Sequence, residues 1–555
     1  MTRWLWTAPG AQSTGASSSW LVRTADWLFA EMGWLAALVV CGAYLCSVVP
    51  LSSLPMQDYP NHMARAAVIS DLLFHHGAHF GSAFQLHFAI VPYVLPDAIL
   101  TGAVALFGPA VAGALYTGLV MLSLPCALLF YMHTVDAPAP RARPWVFLVS
   151  LYLSTDWFFA MGFMAFRLAI ALIVVALALA ERLRRQWSSR AFAAYLLVAA
   201  IGYLTHVAAV AFLVVALAAA AVVRIVLRKT TLRRELALIL PPAALFVAAW
   251  YLRGAEHIMS SLPALDDEHW KAFKHNVRNL PYEFTGFDWH PVIPLVLLLA
   301  VSLLWPVRRS LRWHALTAPA VLEQLGVAAA FLLLYFAVLP VATQVEPYVN
   351  VRVLPLVSLA LLFACLRLPA SERAGLALAA LLAVTNLVYL AIHLRAANEW
   401  NERYRSVVAA IPSGAYVLPM QARPRQQRVL FASAFVVLDR SAIMPYLFSS
   451  DEADPMRYFS YRHRPYAPGP QWYREDVLAH RPLTLDWQRV ACDYDYLLPT
   501  LPFNVRVIGV PTTRVAGNDT VELLKVDKSA CHAVRSHEAE SGLDRDQDEV
   551  LLASR

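Results

Sequence analysis

Long apolar runs separated by short polar loops occupy the chain from residue 34 to about residue 396. The first run, residues 34–54, is almost unbroken hydrocarbon, and about 20 such residues span a bilayer. The pattern therefore predicts a polytopic bundle of membrane-spanning α-helices. One longer run covers residues 89–133, and Gly108-Pro109 predicts a break in it, with a membrane-dipping helix before the break and one full span after it.

Basic clusters between the apolar runs predict the orientation, because short loops rich in Lys and Arg stay in the cytoplasm. These clusters lie at residues 141–143, 182–185, 224–234, 308–312 and 367–373. Placing them inside leaves the following segments outside: 55–95, 156–163, 205–207, 253–290, 342–352 and the chain after 396. This scheme needs an odd number of crossings, and eleven fits best. Residues 1–33 are expected to be cytoplasmic, ahead of an uncleaved signal-anchor.

Composition supports a membrane protein. Apolar residues make up 59% of the 555 residues, charged residues 15%, and mean hydropathy is +0.53. Soluble domains carry about 45–50% apolar and about 25% charged residues. The net charge of +7 comes from the loop clusters that set topology, so no nucleic-acid partner is expected.

The chain after residue 396 has a different composition. Residues 397–534 are rich in Tyr, Pro, Arg and Asp and predict a small external α/β domain. Its helix is predicted at 401–411, and its strands at 415–418, 428–431, 505–510 and 521–526, the last two joined around Gly517-Asn518-Asp519. Residues 535–555 are mostly polar and predict a disordered tail.

One short motif follows the first span. Residues 57–65 read Gln-Asp-Tyr-Pro-Asn-His-Met-Ala-Arg, so an acid, an imidazole and a guanidinium stand at the water boundary. Such an acid, opening the first external loop of a many-times-spanning protein, resembles the GT-C glycosyltransferases. Those polytopic enzymes transfer sugars from a polyprenyl-phosphate lipid. The resemblance implies eleven to thirteen spans, and it agrees with an external C-terminal domain.

Ionisable side chains near the membrane are costly and usually functional. In this chain they collect at the predicted external ends: Asp58, His62, Arg65, Asp97, Asp156, Arg167, His206, Glu346 and Arg352. A secondary transporter would instead place polar groups near the midplane of repeated halves, and the sequence has no internal repeat. The pattern predicts an external cavity where a lipid head group meets a water-soluble acceptor.

Asp58 is the candidate catalytic base, since proton removal by a positioned carboxylate contributes a factor of about 10² to 10⁴. Pro60 suits a first helical turn, whose free amides are expected to hold that carboxylate ionised. The alternative role for Asp58 is a helix cap. Positions 58, 62 and 65 share one helical face, so His62 and Arg65 are candidate substrate contacts. Their alternative roles are structural hydrogen bonding and interfacial anchoring.

Arg352 is the preferred candidate for binding the donor phosphate, because a guanidinium presents a fork of donors, and Arg167 is the second choice. Either side chain can alternatively anchor a span at the interface. His206, at a bend between two spans, either contacts substrate or ties the spans together. If the site is real, Asp58, His206 and Arg352 should converge.

Two clusters invite a metal assignment, and neither supports one. His75 and His79 lack a carboxylate or thiolate at standard spacing, and residues 266–269 (Asp-Asp-Glu-His) are typical of a solvated loop. Residues 288–290 end the same loop beside the membrane. Many GT-C enzymes carry paired acids in the first loop, whereas this chain has Gln57-Asp58. No metal site and no cofactor are assigned.

The sequence thus predicts a bacterial inner-membrane enzyme that moves a sugar from a polyprenyl-phosphate donor to an unknown glycan, lipid or protein acceptor on the external face. The alternatives are a non-enzymatic lipid-linked glycan transporter and a GT-C-derived assembly protein. Cys492 and Cys531 are the two cysteines of the polar C-terminal region. In an external domain they either form a disulfide or remain free thiols.

Overall fold

The computed structural model describes residues 20–51, 55–87, 90–135, 143–252, 273–280, 317–339, 350–367, 372–422, 429, 431–447, 459–468, 472–473, 483–529 and 531. Several sequence predictions lie outside these ranges. They concern residues 266–269 and 288–290, Glu346, and the tail 535–555.

Helices dominate the described chain. Their bounds are α1 Trp20–Val48, α2 Tyr59–Phe74, α3 Val94–Thr134, α4 Arg143–Ser154, α5 Trp157–Ala160, α6 Met164–Arg185, α7 Ser189–Thr205, α8 Val207–Val226, α9 Leu232–Leu252, α10 Pro319–Leu333, α11 Leu354–Cys365, α12 Glu372–Val408, α13 Phe435–Arg440 and α14 Trp487–Asp493. Residues 273–280 are also helical. The strands are β1 Phe84–Leu86, β2 Val417–Ala422, β3 Phe459–Tyr461, β4 Trp472–Tyr473, β5 Tyr496–Pro499, β6 Thr512–Gly517 and β7 Glu522–Val526.

The polytopic membrane architecture is confirmed. Within the described ranges, five helical stretches are long and apolar enough to cross a bilayer: Val94–Thr134, Met164–Arg185, Val207–Val226, Pro319–Ala337 and Gly375–Val408. Shorter apolar helices accompany them at Met32–Val48, Pro144–Ser154, Ser189–Thr205 and Val351–Cys365. The total of eleven crossings stays a prediction. α1 begins at Trp20, so the predicted cytoplasmic segment 1–33 includes the first turns of a helix.

The helix α6 lies at the centre of the bundle. Inside the protein, 72% of its apolar stretch is buried, against 28% for α3. α3 consists of two helical segments that meet at a kink at Gly108, whose φ of 77° and ψ of 164° are not helical. Pro109 follows and cannot donate to the preceding turn. The predicted break at Gly108-Pro109 is therefore confirmed.

Ion pairs join four helices at the end of the bundle that the basic clusters predict to be cytoplasmic. Arg184 of α6 lies 2.8 Å from Glu235 of α9 and 3.6 Å from Glu323 of α10. Glu323 also lies 3.3 Å from Arg224 of α8. Because the Glu235 side chain is fully buried, it needs the Arg184 guanidinium as a counter-charge.

The C-terminal region is an α/β domain, as predicted. Its described sheet has the order β4-β2-β5-β7-β6, in which β2 is parallel to β4 and β5, and β7 is antiparallel to β5 and β6. β2 lies two residues beyond the start of the predicted strand 415–418. Cys492 and Cys531 form a disulfide with their Cα atoms 4.8 Å apart, which settles that alternative.

Two predicted strands are wrong. Val505–Val507 forms a 3₁₀ turn, in which the Asn504 side chain accepts from the Arg506 amide, and the partner of β7 is β6. Short polar side chains favour such local turns over a ladder. In the predicted strand 428–431, the described residues 429 and 431 are not extended, and Phe431 precedes a 3₁₀ turn, Ala432–Ala434.

The predicted helix at 401–411 is the last part of α12, which crosses the predicted domain boundary at residue 396 without a break and ends at Val408. The C-terminal domain therefore continues directly from the last apolar helix. A second, smaller connection exists: β1, in the loop predicted to be the first external one, pairs with β3 of the C-terminal domain.

Candidate active site

Asp58 immediately precedes α2, and its backbone is fixed by hydrogen bonds to a distant part of the chain. The Asp58 amide donates to the Met161 carbonyl at 3.0 Å, and the Gln57 amide donates to the Ala160 carbonyl at 3.3 Å. Ala160 is the last residue of α5, and Met161 begins the turn between α5 and α6. The backbone of the candidate base is thus held by hydrogen bonds to residues about 100 positions later in the chain.

Gly162 permits this close approach. Its φ is +80°, and a Cβ at this position would lie 2.7 Å from the Tyr59 amide nitrogen and 2.9 Å from that of Asp58. Both distances are shorter than real Cβ contacts, so an L side chain would displace the loop. Glycine is therefore required here for conformation and for space.

The Asp58 side chain does not act as predicted toward α2. Among the described residues, no amide of the first turn donates to it, so the expectation that these amides hold it ionised is wrong, and the alternative of a side-chain cap is not seen. Gln57 Nε2 instead donates to Asp58 Oδ1 at 3.0 Å. Burial raises the pKa of Asp58 to about 7, although the Gln57 hydrogen bond and the Arg352 charge act to lower it.

Arg352, whose charge acts on this carboxylate, contacts His206. Arg352 belongs to the buried 3₁₀ turn Val351–Val353, and its Nη1 lies 3.2 Å from His206 Nε2. Its guanidinium stacks over Phe163, 5.1 Å from the ring centroid, and over Phe166, 5.6 Å away. Aromatic faces stabilise a desolvated cation. The structure therefore places His206 in contact with Arg352, and Arg352 within electrostatic range of Asp58, which agrees with the predicted convergence.

His206 joins α7 to α8. Its Nδ1 accepts from the Ala208 amide at 3.0 Å, so the neutral ring carries its proton on Nε2. That nitrogen lies 3.0 Å from the Tyr93 hydroxyl and faces Arg352. Two nitrogen donors and one hydroxyl thus converge on one point. Tyr93 has a φ of 74°, which is unusual for a residue with a side chain.

His62 and Arg65 form a second group on α2. Arg65 Nη2 lies 2.7 Å from Asp97 Oδ1 and 3.3 Å from His62 Nδ1, so the two side chains share a face as their spacing predicted. Burial, together with the smaller effect of the Arg65 charge, lowers the pKa of His62 to about 3. His62 is therefore neutral at physiological pH. The Arg65–Asp97 ion pair ties α2 to the start of α3.

Arg167 is buried within α6, with its side chain 1% exposed. Its Nη1 donates to Asp156 Oδ2 at 2.9 Å, and its Nη2 donates to the Leu153 carbonyl. Asp156 Oδ1 also accepts from the Phe159 amide at the start of α5. These contacts stabilise the region around α5, whose following turn accepts the hydrogen bond from the Asp58 amide. They favour a structural role for Arg167 over the predicted substrate contact.

In the part of the chain that the structure describes, no cluster of three His, Cys, Asp or Glu side chains is placed to hold a metal ion. His79 Nδ1 lies 3.0 Å from Asp71 Oδ1, while its side chain is more than half exposed. This pair joins the end of α2 to the following turn.

Sequence reasoning did not find several residues of the site. Phe163 and Phe166 are ordinary apolar residues in sequence, and only the fold brings their rings over Arg352. Tyr93 carries no sequence signal for its left-handed backbone. Gly162 had one signal, since a glycine between aromatic clusters in a predicted external turn indicates a position where the backbone needs a positive φ or a close approach.

The helical bundle and the C-terminal α/β domain have the arrangement that the GT-C resemblance implies. No protein-family profile matches the chain, and no curated protein sequence matches it. Among solved structures the chain is similar to ArnT from Cupriavidus metallidurans in the apo state, with 13% identity over 92% of this chain and 99% of that chain, and a TM-score of 0.51. ArnT bound to undecaprenyl phosphate is also similar, with 14% identity over 92% and 98% and a TM-score of 0.49. The likeness to the apo structure confirms the predicted GT-C fold.

Proposed function

We propose that the protein is a membrane glycosyltransferase that moves a sugar from a polyprenyl-phosphate donor to an acceptor at the external face of the membrane. The observation that carries this proposal is the carboxylate of Asp58, with a pKa near neutrality, beside the Arg352 guanidinium and the His206 imidazole. The fold agrees with it, since ArnT has the same fold and has been crystallised with undecaprenyl phosphate.

Asp58 supplies the base. Its ionised carboxylate removes the proton from an acceptor hydroxyl, and the oxygen attacks the anomeric carbon of the donor sugar. The bond between that carbon and the phosphate oxygen breaks, and its electron pair leaves with the polyprenyl phosphate. A base is most effective when its pKa lies near the working pH, and a pKa of about 7 meets that condition.

Arg352 and His206 bind the departing phosphate. The proton on His206 Nε2 and the N–H groups of Arg352 converge, and a phosphate oxygen is an acceptor that suits both. The guanidinium is already oriented by Phe163 and Phe166, so little side-chain freedom is lost on binding. Charge-assisted hydrogen bonds of this kind strengthen as negative charge develops on the leaving group.

His62 and Arg65 lie on α2 after Asp58, and the ion pair with Asp97 fixes the position of the Arg65 side chain. We assign them to the wall of the predicted external cavity, with neutral His62 as a hydrogen-bond partner of the substrate. Arg167 supports the turn beneath Asp58 and is assigned a positioning role. The disulfide between Cys492 and Cys531 supports placing the C-terminal domain in an oxidising compartment outside the inner membrane.

The test is sugar release from a synthetic polyprenyl-phosphate hexose or pentose by purified protein in detergent, with and without added envelope extract as a source of acceptor. Wild-type protein should release sugar, and Asp58→Asn should not. Asp71→Asn is the matched control, because Asp71 is a buried carboxylate at the other end of the same helix. Equal rates in both variants would remove Asp58 from the reaction.

The same preparation separates the two alternatives. Reconstituted in vesicles, a lipid-linked glycan transporter would move the donor across the bilayer without releasing sugar. An assembly protein would do neither. Either result with correctly inserted wild-type protein would overturn the enzyme proposal.

A further inference from the structure

We infer that the external domain is a working part of the candidate active site, and that Asn61 is the positioning residue through which it fixes the Asp58–His62 turn. The inference rests on the proposed function for its catalytic meaning. Asn61 is fully buried, and its Nδ2 donates to the carbonyl of Tyr446 at 3.0 Å, across 385 residues of chain. It lies between the candidate base and His62 on the first turn of α2.

The Tyr446 carbonyl belongs to a segment that is itself held rigidly. Three successive carbonyls each accept from a different side chain. The Met444 carbonyl accepts from the Tyr461 hydroxyl at 2.6 Å, the Pro445 carbonyl from Arg464 Nη2 at 3.1 Å, and the Tyr446 carbonyl from Asn61. The first two fix the segment within the external domain. The third hydrogen bond connects this rigid segment to α2.

The segment is also linked to the first external loop by a second route. Tyr461 lies in β3, opposite Phe84 of β1, with the two ring centroids 4.5 Å apart. Phe84 also stacks on Phe459 at 5.3 Å. Arg462 donates to the Gly81 carbonyl at 2.9 Å. The loop therefore contacts the domain at both ends of α2, through Asn61 at the start and through β1 after its end.

Between these two contacts α2 buries apolar side chains against the domain. Ala64, Val68 and Ile69 belong to one buried cluster with Phe435 and Val436. These side chains are buried, and Asp58 immediately precedes the same helix, within electrostatic range of Arg352 and one turn before His62. Loosening the start of α2 would admit water to Asp58 and change the distance between its carboxylate and Arg352. Both effects alter the ionisation of the base as well as the rate.

The matched variants are Asn61→Ala and Gln85→Ala. Each deletes one amide hydrogen bond between the first external loop and the external domain, since Gln85 Nε2 donates to Ser460 Oγ at 3.3 Å. Only Asn61 adjoins the candidate base. We expect Asn61→Ala to lower kcat about five- to tenfold with little change in the donor KM, and Gln85→Ala to leave kcat within about twofold of wild type.

A second readout works whether or not the protein transfers sugar. A hydrophobic carbodiimide labels protonated carboxyls, and mass spectrometry follows the label on Asp58 as pH changes. Wild type should lose labelling around pH 7, Gln85→Ala should match it, and Asn61→Ala should lose labelling at lower pH. If Asn61→Ala matches Gln85→Ala in its labelling profile, the inference is wrong. If labelling shifts as expected but wild type releases no sugar, the coupling holds and the proposed enzyme function fails.

Discussion

Gly162→Ala tests whether the turn between α5 and α6 sets the position of Asp58. The new Cβ would lie 2.7 Å from the Tyr59 amide nitrogen and 2.9 Å from that of Asp58, whereas ordinary contact begins at 3.4 Å. The loop must therefore move away by the difference, 0.5–0.7 Å. A misplacement of about 1 Å can cost a factor of about 100 in rate. The displacement here is smaller than 1 Å, and if the logarithm of the rate falls in proportion to it, sugar release should decrease about ten- to twenty-fivefold.

Gly414→Ala is the matched control. Gly414 has a φ of +76°, close to the +80° of Gly162, and no described heavy atom lies within 4 Å of a Cβ placed there. Both variants incur the backbone cost of a left-handed alanine, about 1–2 kcal/mol, and only Gly162→Ala adds the contact with the α2 turn. Initial rates and thermal unfolding of the detergent-purified proteins separate the two effects. Equal rates in the two variants would show that the contact does not position Asp58.

Three further predictions concern donor binding, pH and topology. Arg352→Ala should raise the apparent donor KM about 10- to 150-fold, since one charge-assisted contact contributes about 1.5–3 kcal/mol, and an unchanged donor KM would exclude Arg352 from phosphate binding. Sugar release should rise with pH to half-maximum near pH 7, where Asp58 ionises. Because the pKa of Asp58 is raised in the folded protein, its ionised form destabilises the fold, and Asp58→Asn should increase the unfolding temperature above pH 7 and have less effect at pH 4. A stability gain independent of pH would contradict the raised pKa. A reporter fused after residue 396 should register as external and one near residue 187 as cytoplasmic, and the opposite result would place Asp58 on the wrong side of the membrane.

Hydrophobic patterning was sufficient for the helical part of the fold. Apolar runs predicted the spans, and Gly108-Pro109 predicted the kink in α3, because local backbone chemistry determines both features. The strands were less predictable. Residues 505–510 have strand-like composition, yet the Asn504 side chain bonds to the Arg506 amide and stabilises a 3₁₀ turn. Such competition between side chain and ladder does not follow from composition.

The residues of the candidate site were likewise only partly predictable from the sequence. Asp58, His206 and Arg352 were found because charged groups at span ends are rare and costly. The partners of these residues were not found. Arg167 was a candidate phosphate ligand until the fold paired it with Asp156, and Asn61 carries no sequence sign that it contacts Tyr446. Contacts between residues far apart in sequence depend on the completed tertiary structure.

The pairing of β1 with β3 has a consequence for how the chain is made. Gln85 and Ser460 are 375 residues apart, and synthesis at about 5–20 residues per second takes about 20–75 s to cover that distance. During that interval the first external loop has already left the membrane while its partner strand does not yet exist, so the aromatic side chain of Phe84 has no sheet to enter. Chains that stop before residue 459 keep this loop unpaired permanently. Quality-control proteases outside the membrane would therefore meet an exposed segment in every truncated product and in every full-length chain whose last helix inserts late.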